Sequence, residues 1–248
     1  MLPTRCLIVN ADDFGQSEGI NFGIIEAFEQ GIVTSASLMV RWPSAEAAAC
    51  YVRNHPALSV GLHVDLGEWA YCQGQWISLY EVVQRDDSAA VTEEVHRQLT
   101  TFRNLMGCEP SHIDSHQHVH RADPIRSVLM KIARTINVPF RLHSNVQYCG
   151  EFYGQMGDGA SLSDQISIKA LENLLTQLLP GATELACHPA KIVDFDSMYT
   201  NERLQELTVL CDPQLRDFLA QNRIELTSFN SVPALTQENS EEVRSTNL

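Results

Sequence analysis

Short apolar runs alternate with helix-patterned segments along most of this 248-residue chain. That alternation restricts the fold to repeated βα units around a parallel sheet. Strands are predicted at residues 6–11 (CLIVNA), 34–40 (TSASLMV), 59–66 (SVGLHVDL), 112–118, 139–144 (PFRLHS), 183–188 (TELACH) and 224–229 (IELTSF). Helices fit between them at about 18–30, 44–54, 91–106, 123–136, 165–178 and 201–222. In the first helix Ser17 stands as N-cap, Ile20, Ile24, Ala27 and Phe28 form the apolar stripe, and Gly31 is the stop. Pro124 and Pro139 bracket the fourth helix. Seven strands with helical crossovers predict an α/β, (β/α) barrel-like architecture rather than a doubly wound sheet. No GxGxxG follows the first strand, which removes the usual dinucleotide reading.

Length suits one barrel domain over residues 1–233, with the polar stretch 234–248 read as a disordered tail. Two connections exceed a plain βα loop: 67–90, which holds Trp69, Tyr71, Trp76 and Tyr80, and 145–164, which is rich in glycine. Loops of that length often wall a binding site. These aromatics could stack on a sugar face or simply pack the loop.

The densest chemistry lies in HIDSHQHVH. His112, Asp114, His116, His118 and His120 share one parity, so an extended segment would point all five the same way. A face of imidazoles and a carboxylate suits a divalent-metal site better than a core. In a βα barrel, catalytic groups sit at the C-terminal ends of the strands. Asp12 and Asp13 close the first strand, His63 and Asp65 lie near the end of the third, Arg141 and His143 fall on the fifth, and His188 ends the sixth. Each has a plain reading alone, as a turn former or a hydrogen-bonded core residue. Together they converge on one barrel mouth and predict a metal-assisted site. Adjacent aspartates on an extended chain point differently, so one can bind metal while the other takes a proton from an activated water. His188, an imidazole, can protonate a leaving group near neutral pH.

Composition narrows the partners. Asp and Glu outnumber Lys and Arg by 31 to 17, and a net charge of −14 argues against nucleic acid, which needs phosphate-neutralising cations. A neutral or cationic small molecule suits such a protein better. Cys6, Cys50, Cys72, Cys108, Cys149, Cys187 and Cys211 are odd in number and form no CxxC pair, as expected in the reducing cytoplasm. The opening MLPTRCLIVNADD reaches acidic residues too early for a signal segment, and no apolar run reaches the ~20 residues needed to span a bilayer. A barrel with exposed helices is open to pairing as a homo-oligomer.

With those residues in view, the chain resembles the YdjC family of carbohydrate deacetylases. The resemblance is carried by VNADDFGQSEGINFGIIEAFEQGIVTSASLMV at 9–40, VGLHVDL at 60–66, HIDSHQHVH at 112–120, ELACHPA at 184–190 and ERLQEL at 202–207. It implies a barrel-like deacetylase fold and removal of an N-acetyl group from an amino sugar or chitooligosaccharide-like carbohydrate, with release of acetate. It also implies Asp13, His63 and His116 as metal ligands, Asp12 as general base and His188 as general acid. Asp114 and His118 would then support the ligands or face substrate, and Arg141 would hold the base or the substrate. His116-x-His118 is itself a chelating spacing, so His118 stands as an alternative third ligand. The family implies magnesium, whereas imidazole donors suit zinc or another transition ion; one divalent cation is the shared expectation. Residues 67–90 match no family motif. Competing readings are another barrel metallohydrolase, such as an amidohydrolase or phosphoesterase, and a non-catalytic carbohydrate- or metal-binding protein.

Overall fold

In the computed structural model, residues 4–232 are described. The expected tail at 234–248 lies outside them. The chain opens with β1 (Arg5–Phe14), α1 (Glu18–Glu29), β2 (Ser35–Leu38), α2 (Ala45–Asn54) and β3 (Ser59–Val64). A hairpin follows, β4 (Gly67–Cys72) and β5 (Gln75–Glu81), then α3 (Ser88–Met106), β6 (Ile113–Ser115) and α4 (Ile125–Ile136). The remainder is β7 (Gln147–Cys149), α5 (Ile168–Thr176), β8 (Gly181–Cys187), α6 (Asn201–Leu210), α7 (Pro213–Gln221) and β9 (Ile224–Leu226).

Seven strands form one parallel sheet in the order β6-β3-β2-β1-β8-β7, with β9 added against the start of β1. The sheet curls into a partial barrel, as the βα alternation implies. Its two edges face each other across the segment 138–149. Phe140 bridges to Ile113 on β6, and seven residues later Gln147 enters β7 beside β8. The core is what the apolar runs require: Leu7, Val9 and Ala11 of β1 are fully buried together with Ile20, Ile24 and Ala27 of α1. Truncating one such side chain to Ala costs about 2–5 kcal/mol. Ser17 caps α1 by accepting from the Ile20 amide at 3.1 Å. Gly31 follows the helix because a Cβ there would sit 2.4 Å from the Leu210 carbonyl oxygen.

The structure corrects the sequence reading in five places, one being β7, which falls inside the expected loop 145–164. The segment 139–144 is no strand: it makes a single bridge at Phe140 and then turns at Leu142, whose φ of 67° leaves the extended region. The fourth predicted strand stops at Ser115, and His116–Arg121 forms a 3-10 turn in which Gln117 and His118 both take left-handed conformations. Parity therefore fails after Ser115, and the five residues of HIDSHQHVH do not share one face. The long connection 67–90 holds an antiparallel hairpin whose two-residue turn, Gln73-Gly74, has positive φ at both positions. That is the turn whose twist matches paired strands. The last predicted helix is two, because Asp212 caps a new N-terminus and Pro213 cannot continue the old one.

Candidate active site

The ends of β1, β3, β6 and β8 bring Asp12, Asp13, His63, His116 and His188 to one cavity. β1 delivers Asp12 and Asp13 through a bulge: Ala11 pairs with Ala36 but Phe14 with Leu38, so β1 carries one residue more than β2. Asp13 sits there at φ 68°, a conformation Asp tolerates better than most residues. The bulge brings two adjacent carboxylates, which a regular strand would send to opposite faces, to the same cavity.

Asp13 Oδ1 lies 3.3 Å from His63 Nε2 and 2.9 Å from His116 Nδ1, and its Oδ2 accepts from Arg203 at 2.6 Å. Asp13, His63 and His116 are all buried, with candidate donor atoms within 4.8 Å of one another. Burial alone would raise the Asp13 pKa, but Arg203 and His116 outweigh it and hold the carboxyl well below the usual range. His63 on β3 stands beside Asp114 on β6 in the sheet register, and its Nδ1 donates to Asp114 Oδ1 at 2.7 Å. Burial disfavours the imidazolium of His63, yet Asp114 and Asp12 raise its pKa well above the ordinary value. His116 is raised against its burial chiefly by Asp13. The Asp13 carboxylate and the neutral forms of the two imidazoles make up the donor chemistry of a divalent-cation site. An imidazole backed by a carboxylate is how such ligands are oriented.

Asp12 belongs to a second buried group, with His63 and Asp114, whose candidate donor atoms also lie within 4.8 Å of one another. Arg141 grips it with Nη1 and Nη2, both at 2.7 Å, and Asn10 Nδ2 donates to it at 2.8 Å. Burial would raise Asp12, but the guanidinium wins and holds its carboxyl below the usual range. Arg141 also reaches Asp114 Oδ2 at 2.7 Å and Glu184 Oε1 at 2.6 Å, so one buried cation ties three carboxylates together. Glu184 is pushed up to about 7 by burial, which Arg141 only partly offsets. His188, directly after β8, places Nε2 3.9 Å from Asp12 Oδ2 and Nδ1 3.8 Å from Glu206 Oε1. Its ring lies edge-on to Tyr153 and Tyr199.

The other histidines are drawn elsewhere. The left-handed pair at Gln117 and His118 turns His118 toward the Tyr148 hydroxyl at 3.0 Å, so His116 joins Asp13 and His63 while His118 does not. His120 packs on Phe140 and bonds Ser115 at 2.7 Å. His112 stacks on Phe229 and contacts Ser37, whose hydroxyl donates to Asp114. Asp65 serves the scaffold, accepting from Arg41, Trp42 and Tyr80.

Sequence reasoning missed Arg203, Glu206, Glu184 and Glu68. On α6 a signal existed: Arg203, Leu207 and Leu210 share one helical stripe, and a charged residue on an apolar stripe asks for a buried partner. Above the centre opens a cavity of about 810 Å³. Trp69 and Trp76 of the hairpin form one wall and Tyr148 and Tyr153 another, while Tyr80 turns away to pack on Trp42. Among the described residues, no helix is long and apolar enough to cross a membrane.

This arrangement has known counterparts. Residues 6–221 match the family model of YdjC-like proteins. The chain belongs to the YdjC-like family. Within it, a carbohydrate deacetylase from Geobacillus stearothermophilus is 34% identical, covering 92% of this chain and 98% of that one. A chitooligosaccharide deacetylase from Serratia marcescens is 32% identical over 92% of this chain and 99% of its own. Among solved structures, an Enterococcus faecalis protein named for cellobiose-phosphate cleavage superposes with a TM-score of 0.77 at 24% identity, covering 93% and 99% of the two chains. A family 4 carbohydrate esterase from Streptomyces lividans in complex with acetate superposes at 0.54 with 14% identity, covering 96% and 99%. Those two likenesses speak to the fold. They extend the barrel-like architecture of this YdjC-like chain to carbohydrate esterases.

Proposed function

We propose that this chain is a divalent-cation-dependent hydrolase that removes the N-acetyl group from an amino sugar or chitooligosaccharide-like carbohydrate. The observation that carries the reading is the juxtaposition of two centres in one cavity. Asp13, His63 and His116 gather within 4.8 Å, and Asp12, held by Arg141, stands beside them with His188 3.9 Å away. The carbohydrate and chitooligosaccharide deacetylases among its relatives support the same reaction class.

Asp13, His63 and His116 would hold the cation. When bound, a divalent cation polarises the acetamide carbonyl and lowers the pKa of water. Asp12 takes the proton from the attacking water; ionised by Arg141 and oriented by two hydrogen bonds, it is ready to accept at neutral pH. Water oxygen adds to the acetyl carbon, the C–N bond breaks, and His188 delivers a proton to the departing nitrogen. Acetate and a free amino sugar leave. Asp114 fixes the His63 ring, and Arg203 steadies Asp13. Trp69, Trp76, Tyr148 and Tyr153 offer apolar ring faces against which a pyranose stacks. All seven cysteines are free thiols, which supports residence in a reducing cytoplasm.

An acetate-release screen across N-acetylated mono- and oligosaccharides, run with magnesium, with zinc and with a chelator, tests the proposal. Cation-dependent acetate release supports it. Phosphate release from model esters without acetate release would move the chain to a phosphoesterase, and sugar binding without turnover to a lectin-like role.

A further inference from the structure

His63 and His116 each turn one ring nitrogen toward Asp13, and each has a carboxylate behind the other. Behind His63 stands Asp114, in hydrogen-bond contact at 2.7 Å. Behind His116 stands Glu68, with Oε2 4.0 Å from His116 Nε2. That Nε2 is buried and has no hydrogen-bond partner among the described residues. Glu68 is only 6% exposed, lines the cavity, and no hydrogen bond to its carboxylate is found among the described residues. A buried donor left unmatched is costly, and the cavity-lining Glu68 carboxylate beside it supplies the acceptor it lacks.

A second observation ties the pair together mechanically. Glu68 belongs to the β4–β5 hairpin, and the next residue, Trp69, is clasped by the residue after His116. Gln117 accepts from the Trp69 amide at 3.0 Å and donates to the Trp69 carbonyl at 2.8 Å, as a neighbouring strand would. Gln117 holds φ 48° to do so, a conformation that costs a non-glycine residue on the order of 1–3 kcal/mol. This clasp sets the hairpin's carboxylate against the histidine turn.

We propose that Glu68 is a positioning residue for His116. In the cation-loaded protein, His116 Nε2–H donates to Glu68 as His63 Nδ1–H donates to Asp114, so the hairpin that walls the substrate cavity and the cation site stabilise each other. The inference rests on the ligand set proposed above. Because coupling between two sites is reciprocal, whatever the cation adds to hairpin docking, the docked hairpin adds to cation affinity. The hairpin within the stretch 67–90 thereby acquires a role in the centre as well as in the wall.

Calorimetric titration of the full chain with magnesium and with zinc, in the absence of any sugar, tests this on the wild type and on Glu68→Ala, Glu68→Gln and Gln117→Ala. Loss of a carboxylate behind a metal-ligating histidine typically weakens affinity about 10–100-fold, and Glu68→Ala is expected in that range. Glu68→Gln keeps an acceptor oxygen and should lose less, and Gln117→Ala should fall between it and the wild type. Hydrogen exchange supplies an independent readout: cation should slow exchange of the β4–β5 amides in the wild type and not in Glu68→Ala. Cation affinity within twofold of wild type in Glu68→Ala, with the hairpin still protected, would overturn the inference alone. A wild type that binds neither cation would overturn it together with the ligand set.

Discussion

An Asp12→Asn substitution separates proton transfer from cation binding at Asp13, His63 and His116, and decides whether the overlapping group of Asp12, His63 and Asp114 holds the cation instead. The amide keeps the shape of the carboxylate and loses its charge and one acceptor oxygen. Arg141 is not stranded, since Asp114 at 2.7 Å and Glu184 at 2.6 Å still hold the guanidinium. The structural cost is that of one or two mismatched hydrogen bonds, about 1–3 kcal/mol. For a chain of this size that is a fall of about 2–12 °C in Tm. Loss of a general base costs about 10²–10⁴ in rate, which at 1.36 kcal/mol per decade is roughly 3–5 kcal/mol on the barrier. kcat for acetate release should therefore drop by two to four decades, while cation content measured on the same protein stays at the wild-type level. The pH profile adds a second check. Arg141 overcomes burial to hold Asp12 below the usual carboxylate range, so the base is already ionised above about pH 5 and adds no acid limb there. A variant with kcat within about threefold of the wild type, or one that has lost its cation, would refute the assignment.

Further expectations follow from the same geometry. His63→Ala should lose the cation, read by metal analysis after dialysis; full occupancy would remove His63 from the ligand set. Since Asp114 and Asp13 overcome burial to raise His63 and His116, a cation must displace protons from them, and wild-type affinity should strengthen with rising pH. A pH-independent dissociation constant would contradict that. Arg141→Met leaves Asp12, Asp114 and Glu184 buried without their shared cation, a loss of about 3–5 kcal/mol or more, visible as a large fall in denaturation midpoint. His112 is held down to about 4 from 6.5, chiefly by burial. Its unfolded state binds the extra proton, so its contribution is intact above pH 6.5 and is lost as pH falls toward 4, by roughly 3 kcal/mol. His112→Gln should flatten that part of the stability profile; an unchanged slope would show that other groups carry it.

Much of the architecture was legible because it is written in local periodicity. The stripe of Ile20, Ile24 and Ala27 behind Ser17 specifies α1 whatever the rest of the chain does. The hairpin reads as a long connection, although β-forming aromatics flank Gln73-Gly74, when the turn is not weighed. The segment at 139–144 misled because PFRLHS has strand composition, whereas Arg141 is drawn to Asp12, 129 residues earlier in the chain. Arg203 was hidden for the same reason: its partner Asp13 lies 190 residues away.

The amino-acid order by itself determined the βα succession and which strand ends carry acids and imidazoles, since periodicity and residue chemistry are properties of neighbours in the chain. Only the tertiary structure decided that both Asp12 and Asp13 face the cavity and that His116, not His118, meets Asp13. Alternation along a strand holds until a bulge or a left-handed residue breaks it. Those breaks are stabilised by contacts with other strands, such as the β2 register beside Asp13 and the clasp of Gln117 on Trp69, which no local pattern records.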